Sequence, residues 1–252
     1  MTSFYIGTSG YNYNHWRRGV FYPNELRPQE FLSYYQRHFN CVELNVTFYR
    51  LPQEKTFSSW YNKTLPEFRF VVKGSRYITH IKRLKETESA LKIFSQRCKN
   101  LKEKLLCVLW QLPPSFKKDK ERIEKFIHQL KKNKYLKNID QSVEFRHPSW
   151  LEDEIYSLLK EHNVNMCFAH SPNFSTPQVI TSDFLYLRFH GGEILYGSEY
   201  SLRELKKWAL QVKMWLNRYH LKKLYAFFNN DAHGFAVKNA KSFHHLLEKW
   251  TK

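Results

Sequence analysis

Four short apolar runs carry polar residues of the kinds used in catalysis: Cys41-Val-Glu-Leu-Asn-Val-Thr-Phe48, Gln141-Ser-Val-Glu-Phe-Arg-His147, Phe184-Leu-Tyr-Leu-Arg-Phe-His-Gly191 and Lys223-Leu-Tyr-Ala-Phe-Phe-Asn-Asn-Asp231. Charges inside strand-like runs are costly unless paired or turned to a wet cavity. Side chains alternate along a strand, so Glu43, Asn45 and Thr47 are expected on one face, Glu144 with Arg146, and Arg188 with His190. Lys73 ends a further run, Phe70-Val-Val-Lys-Gly-Ser75.

Several chemistries fit these residues. Arg146, Arg188 and Lys73 can clamp a phosphate or carboxylate, arginine as a bidentate fork. Glu43 or Glu144 can serve as general base, and His147 or His190 as acid or phosphate donor. Asn45, Asn229 and Asn230 can orient ligand or water. Glu43 and Glu144 with His147, His170 and His190 have the types for a divalent metal, but no HExxH or paired-histidine motif appears, and no metal ligand is assigned. Lys73 also fits a Schiff-base lysine, which needs a depressed pKa, although an ion-paired lysine explains it more simply. Tyr11 and Trp16, among the arginines and aromatics of the loop at residues 11–22, can stack on bases or sugars. Against all of these stands a structural reading, in which the same charges form a buried ion network that plugs the fold.

The elements that must position these groups alternate. Strand runs start near residues 4, 41, 69, 104, 141, 163, 184 and 223, with mostly helical links. Residues 119–134 carry one apolar stripe, Ile123, Phe126, Ile127 and Leu130; residues 201–220 carry another from Leu205 to Tyr219. Ser201 with Glu204, and Ser149 with Glu152, have capping-box spacing, and Pro28 opens a helix expected to run to Phe39. Ser171-Pro-Asn-Phe-Ser-Thr-Pro-Gln178, between the sixth and seventh runs, is too proline-broken for a full helix. Eight strand–helix repeats in 252 residues predict an α/β fold, a single (β/α)8 TIM-type barrel over residues 1–252 with an irregular, helix-poor sixth link. Its carboxyl rim would gather the polar residues.

Composition narrows the function classes. The formal charge of +18 predicts attraction to polyanions, although lysine-rich helix ends are also ordinary solvated faces. Cys41, Cys98, Cys107 and Cys167 have no zinc-type spacing and read as buried, reduced thiols of a cytoplasmic protein. No signal peptide is visible from Met1 and no apolar run is long enough to span a membrane. Neither a GxGxxG fingerprint nor a Walker A motif occurs, and no cofactor is assigned.

The runs also match a known pattern. Ile6-Gly-Thr-Ser-Gly10, Phe21-Tyr-Pro23, Phe39-Asn-Cys-Val-Glu-Leu-Asn-Val-Thr-Phe-Tyr-Arg-Leu-Pro52, Phe70-Val-Val-Lys73 and Ile78-Thr-His80 are followed by Gln111-Leu-Pro-Pro114, Val143-Glu-Phe-Arg-His-Pro-Ser-Trp150, Tyr186-Leu-Arg-Phe-His-Gly191 and Phe227-Phe-Asn-Asn-Asp231. With these the chain resembles the YecE-like family, domain of unknown function seventy-two, over nearly its full length. The resemblance implies a TIM-type barrel and no settled reaction. Fold-level analogy with phosphoester-handling barrels of the endonuclease IV type suggests DNA as ligand. The chain lacks the dense histidine and carboxylate set of a three-metal nuclease.

The leading expectation is therefore a barrel whose basic rim binds a phosphate-bearing ligand, single-stranded or damaged nucleic acid, with phosphodiesterase- or nuclease-like hydrolysis as an extension. A small-molecule isomerase, lyase or hydrolase acting on a sugar or phosphorylated metabolite is the alternative, and a non-catalytic interaction module the third.

Overall fold

The computed structural model describes residues 2–249. Met1, where the reading of the amino terminus begins, lies outside them. Among the described residues nine strands form: β1 (Ser3–Thr8), β2 (Cys41–Leu44), β3 (Arg69–Lys73), β4 (Leu105–Gln111), β5 (Asp140–Glu144), β6 (Asn165–Met166), β7 (Phe168–His170), β8 (Phe184–Phe189) and β9 (Lys223–Phe228). They make two parallel sheets, β1-β9-β8-β7 and β2-β3-β4-β5-β6. The fold is α/β as expected, but the closed eight-stranded TIM-type barrel is not what forms.

Side chains account for the difference. The single run expected near residue 163 splits at Cys167: Asn165 and Met166 pair with Ser142 and Val143, whereas Phe168 to His170 pair with Leu187 to Phe189. On β6, the Thr181 hydroxyl accepts from Met166 N at 2.8 Å and donates to Val164 O at 2.8 Å. On β1, Asn40 accepts from Ile6 N at 3.3 Å and donates to Phe4 O at 2.7 Å, while the Tyr35 hydroxyl accepts from Thr8 N at 2.9 Å. Backbone groups that a continuous ladder would satisfy are thus satisfied by side chains. Among the described residues, an isolated bridge of Ser9 with Glu43 forms between the end of β1 and β2.

The chain divides into two compact units. One comprises Met1–Glu43, Phe168–Ser175 and Asp183–Lys252; the other comprises Leu44–Cys167 and Thr176–Ser182. In the first, α1 (Phe31–Tyr35) stops four residues before Phe39, and Pro28 lies in a separate 3₁₀ turn before it. In the second lie α2 (Val46–Tyr49), α3 (Glu54–Asn62), α4 (Glu88–Cys98), α5 (Lys120–Lys132) and α6 (Asp153–Glu161). The first unit adds α7 (Leu202–Tyr219) and α8 (Phe235–Glu248). The α5 stripe is buried as its spacing predicts, with Asp119 capping the helix; on α7 the buried stripe ends at Leu216, and Tyr219 is exposed. The link at residues 171–178 is irregular, as expected.

Both units have apolar centres rich in aromatic rings, and all four cysteines are buried free thiols. Burial pushes the Cys98 thiol well above its ordinary range. Among the described residues, no helix is long and apolar enough to cross a membrane.

Candidate functional site

In the second unit three neighbouring strands end on polar groups. Lys73 closes β3, Gln111 closes β4 and Glu144 closes β5, and Gln111 pairs in register with Glu144. Parallel strands present their carboxyl ends to one side, which is where open α/β sheets place ligands. Glu144 is fully buried and accepts from Gln111 Nε2 at 3.1 Å and from the Arg146 guanidinium. Arg146 lies past the strand end with its side chain 13% exposed. Lys73 is 6% exposed, its Nζ 4.0 Å from the centre of the Phe48 ring.

The chain leaves β3 through Gly74, where a Cβ would stand 2.2 Å from the Trp110 ring, so a side chain is sterically excluded. It then forms a π-helical turn, Tyr77–Ile81, a conformation rare in proteins and frequent at functional sites. That turn sets the His80 ring 4.9 Å from Phe48, with Nδ1 2.9 Å from the Thr79 hydroxyl. Burial, aided by Lys73 and Arg76, lowers the His80 pKa to about 4, against an opposite pull from Glu144. The imidazole is neutral at pH 7. Outside these groups Tyr49 is 72% exposed, Tyr77 47% and Ile81 63%.

Other expected members take different positions. β2 stops at Leu44, so Asn45 is the amino cap of α2, and Thr47 lies in that helix, donating to Leu44 O and Lys73 O at 2.7 and 2.6 Å. The alternation expected from Glu43 to Thr47 therefore ends after Glu43. His147 accepts from Ser149 N through Nδ1 and contacts its hydroxyl at 2.8 Å, making a local cap. Ser149 consequently does not cap α6, whose capping residue is Glu152.

The first unit holds the remaining candidates. Glu43 is fully buried and accepts from the Tyr186 hydroxyl at 2.6 Å and from Arg188 Nη2 at 2.8 Å. Tyr186 and Arg188 lie two apart on β8, on one face. His190, buried after β8, accepts at Nδ1 from Asn229 Nδ2 at 3.1 Å. Asn230 is buried and donates to Ser198 O and Asn239 Oδ1, tying the end of β9 to α8. The Tyr200 hydroxyl accepts from Gly191 N and sits 2.8 Å from His170 Nδ1, and burial lowers the His170 pKa. Trp16 is wholly buried, which removes it from the stacking surface expected of it, and Tyr11 is half-buried against Tyr35, its carbonyl accepting from the Tyr22 hydroxyl.

Trp16 Nε1 donates to Asp231 Oδ2 at 2.7 Å, and the exposed His15 meets the same oxygen through Nε2 at 2.8 Å. Neither His15 nor Asp231 stood out among the expected site residues, because 216 positions separate them. Among the described residues, no group of three or more histidine, cysteine, aspartate or glutamate side chains is placed to hold a metal ion.

The family model described as "Protein of unknown function DUF72" matches residues 5–252. This chain belongs to the DUF72 family. It is 27% identical to the UPF0759 protein YunF of Bacillus subtilis, covering 97% of this chain and 94% of that one. It is 35% identical to the UPF0759 protein YecE of Escherichia coli over 85 residues, 34% of this chain and 31% of that one. Among solved structures, a DUF72 family protein from Thermotoga maritima superposes with a TM-score of 0.83 at 33% identity, covering 98% of this chain and 99% of that one. A DUF72 family protein from Enterococcus faecalis shares the fold with a TM-score of 0.81 at 19% identity, over 97% and 95% of the two chains.

Proposed function

We propose that this DUF72 protein binds a phosphate-bearing ligand at the carboxyl ends of β3, β4 and β5, and that the ligand is a single-stranded nucleic acid. The observation that carries the reading is the charge of that edge. Lys73, Arg76 and Arg146 stand there with one carboxylate, Glu144, and the half-buried His80 is neutral. Partial burial strengthens a cation's pull on phosphate relative to bulk water. The exposed Tyr49 and Tyr77 support a polymer with bases, since base–aromatic stacking contributes about 1–3 kcal/mol per base without regard to sequence. Residues 75–85 add Arg76, Lys82, Arg83 and Lys85 and contain no acid. Glu144 already accepts from both Gln111 and Arg146, which favours binding over acid–base hydrolysis.

Fluorescence anisotropy with a labelled thymidine oligonucleotide tests this. Affinity is expected to fall steeply between low and physiological salt. Lys73→Met and Arg146→Met should each weaken binding, and an abasic strand should bind less tightly than one with bases. Absence of binding at low salt, or unchanged affinity in both variants, would exclude the reading.

A further inference from the structure

The loop after β1 carries a second cationic feature, within the first unit and independent of the site proposed above. A surface cavity of about 690 Å³ is lined by Asn14, His15, Arg17, Arg18 and Asn24, with apolar side chains completing it. Among the described residues, no carboxylate lines it. The loop is fixed from below. Phe21 N and Tyr22 N both donate to Trp16 O, at 2.9 and 2.8 Å, and Gly19 N donates to Tyr22 O at 3.0 Å. Arg18 and Gly19 take successive left-handed conformations, with φ of 59° and 83°, which turn the chain sharply beside the cavity.

Two cavity-lining side chains have buried anchors: the Arg17 guanidinium lies 5.3 Å from the centre of the buried Phe31 ring, and His15 is held by a carboxylate. Its Nε2 is committed to Asp231 Oδ2, which Trp16 Nε1 holds from the other side. The Asp231 side chain is 11% exposed, and its carboxylate also meets the backbone N–H of Ala236. Burial raises the Asp231 pKa, so this carboxylate gains from added positive charge on its neighbour. With Nε2 occupied, Nδ1 is the His15 nitrogen left to a ligand. The imidazole thus presents one nitrogen to Asp231 and the other to a ligand.

We propose that this cavity is an oxyanion site for a terminal phosphate group, with Arg17 and Arg18 supplying charge and His15, oriented by Asp231, supplying a directed donor. Arginine forks match the paired oxygens of phosphate, and the fixed loop limits the ordering that binding requires.

The test is a titration of the isotope-labelled full chain with inorganic phosphate, followed by amide NMR at constant ionic strength, with acetate as the competing oxyanion. The expected result is a saturable set of shifts over residues 14–26, distinct from any at the ends of β3, β4 and β5, at millimolar phosphate and stronger than with acetate. Arg17→Ala/Arg18→Ala should weaken binding at least tenfold, and Asp231→Asn severalfold. If Asp231→Asn does not fold, His15→Ala takes its place. Lys73→Met/Arg146→Met should leave these shifts unchanged, which separates this site from the strand-end site. Unsaturable shifts spread over the basic surface, equal binding of acetate, or wild-type affinity in the double arginine variant would each overturn the proposal.

Discussion

Arg188→Met would leave the buried Glu43 carboxylate with the Tyr186 hydroxyl but without the guanidinium 2.8 Å away. Losing one partner of a buried ion pair costs about 3–5 kcal/mol, whereas replacing both with apolar residues is often neutral. Urea unfolding should therefore show Arg188→Met strongly destabilised and Glu43→Leu/Arg188→Met substantially recovered; equal loss in both would assign the pair a larger structural role. His80 makes a different prediction. Its folded pKa of about 4 lies below the ordinary 6.5, so the unfolded chain takes up the proton first as pH falls. Stability contributed by the neutral ring is complete above pH 6.5 and is lost progressively towards pH 4. His80→Gln should flatten the fall of Tm across that window, leaving a residual slope from His38 and His170, whose pKa values are also lowered. An unchanged slope would show that His80 is not held neutral. The residue types of the candidate site were legible in the sequence, as was ion pairing among them, which joins Glu43 to Arg188 and Glu144 to Arg146; the partners outside that set were not. Tyr186 could be found by its two-residue spacing from Arg188, but the pairing of Asp231 with Trp16 and His15 exists only in three dimensions.

At the scale of elements, local chemistry carried some boundaries and misled at others. Ser201 and Glu204 form the capping box that their spacing predicts, so Ser201→Ala should cost about 0.5–2 kcal/mol, read by thermal unfolding. Ser149 and Glu152 have the same spacing without the same outcome, because Ser149 is engaged by Lys118 N at 2.8 Å and by His147. A tertiary contact has overridden a local preference. Gly74 shows the converse: nothing in Lys-Gly-Ser announces that a methyl group there would meet Trp110 at 2.2 Å. Gly74→Ala should destabilise by about 1–3 kcal/mol, the usual cost of overpacking, and should reduce oligonucleotide affinity by displacing the π-helical turn that follows. Wild-type stability and affinity in that variant would detach the turn from the site.

For the whole molecule, the strand–helix alternation was readable and the ladder pattern was not. Side chains of Thr181, Asn40 and Tyr35 take backbone partners that a barrel would supply from strands, and no periodicity encodes that substitution. Of the six charged groups expected in one mouth, Glu43, Arg188 and His190 belong to one unit and Lys73, Glu144 and Arg146 to the other. The formal charge of +18 draws polyanions to the surface at large, so affinity alone does not locate a site. Photocrosslinking does. An oligonucleotide carrying 4-thiothymidine, bound at low salt and mapped by mass spectrometry, should attach chiefly at Tyr49, Tyr77 and the residues beside them. Attachment spread over the lysine-rich helix ends, with Tyr49 and Tyr77 unmodified, would contradict the account.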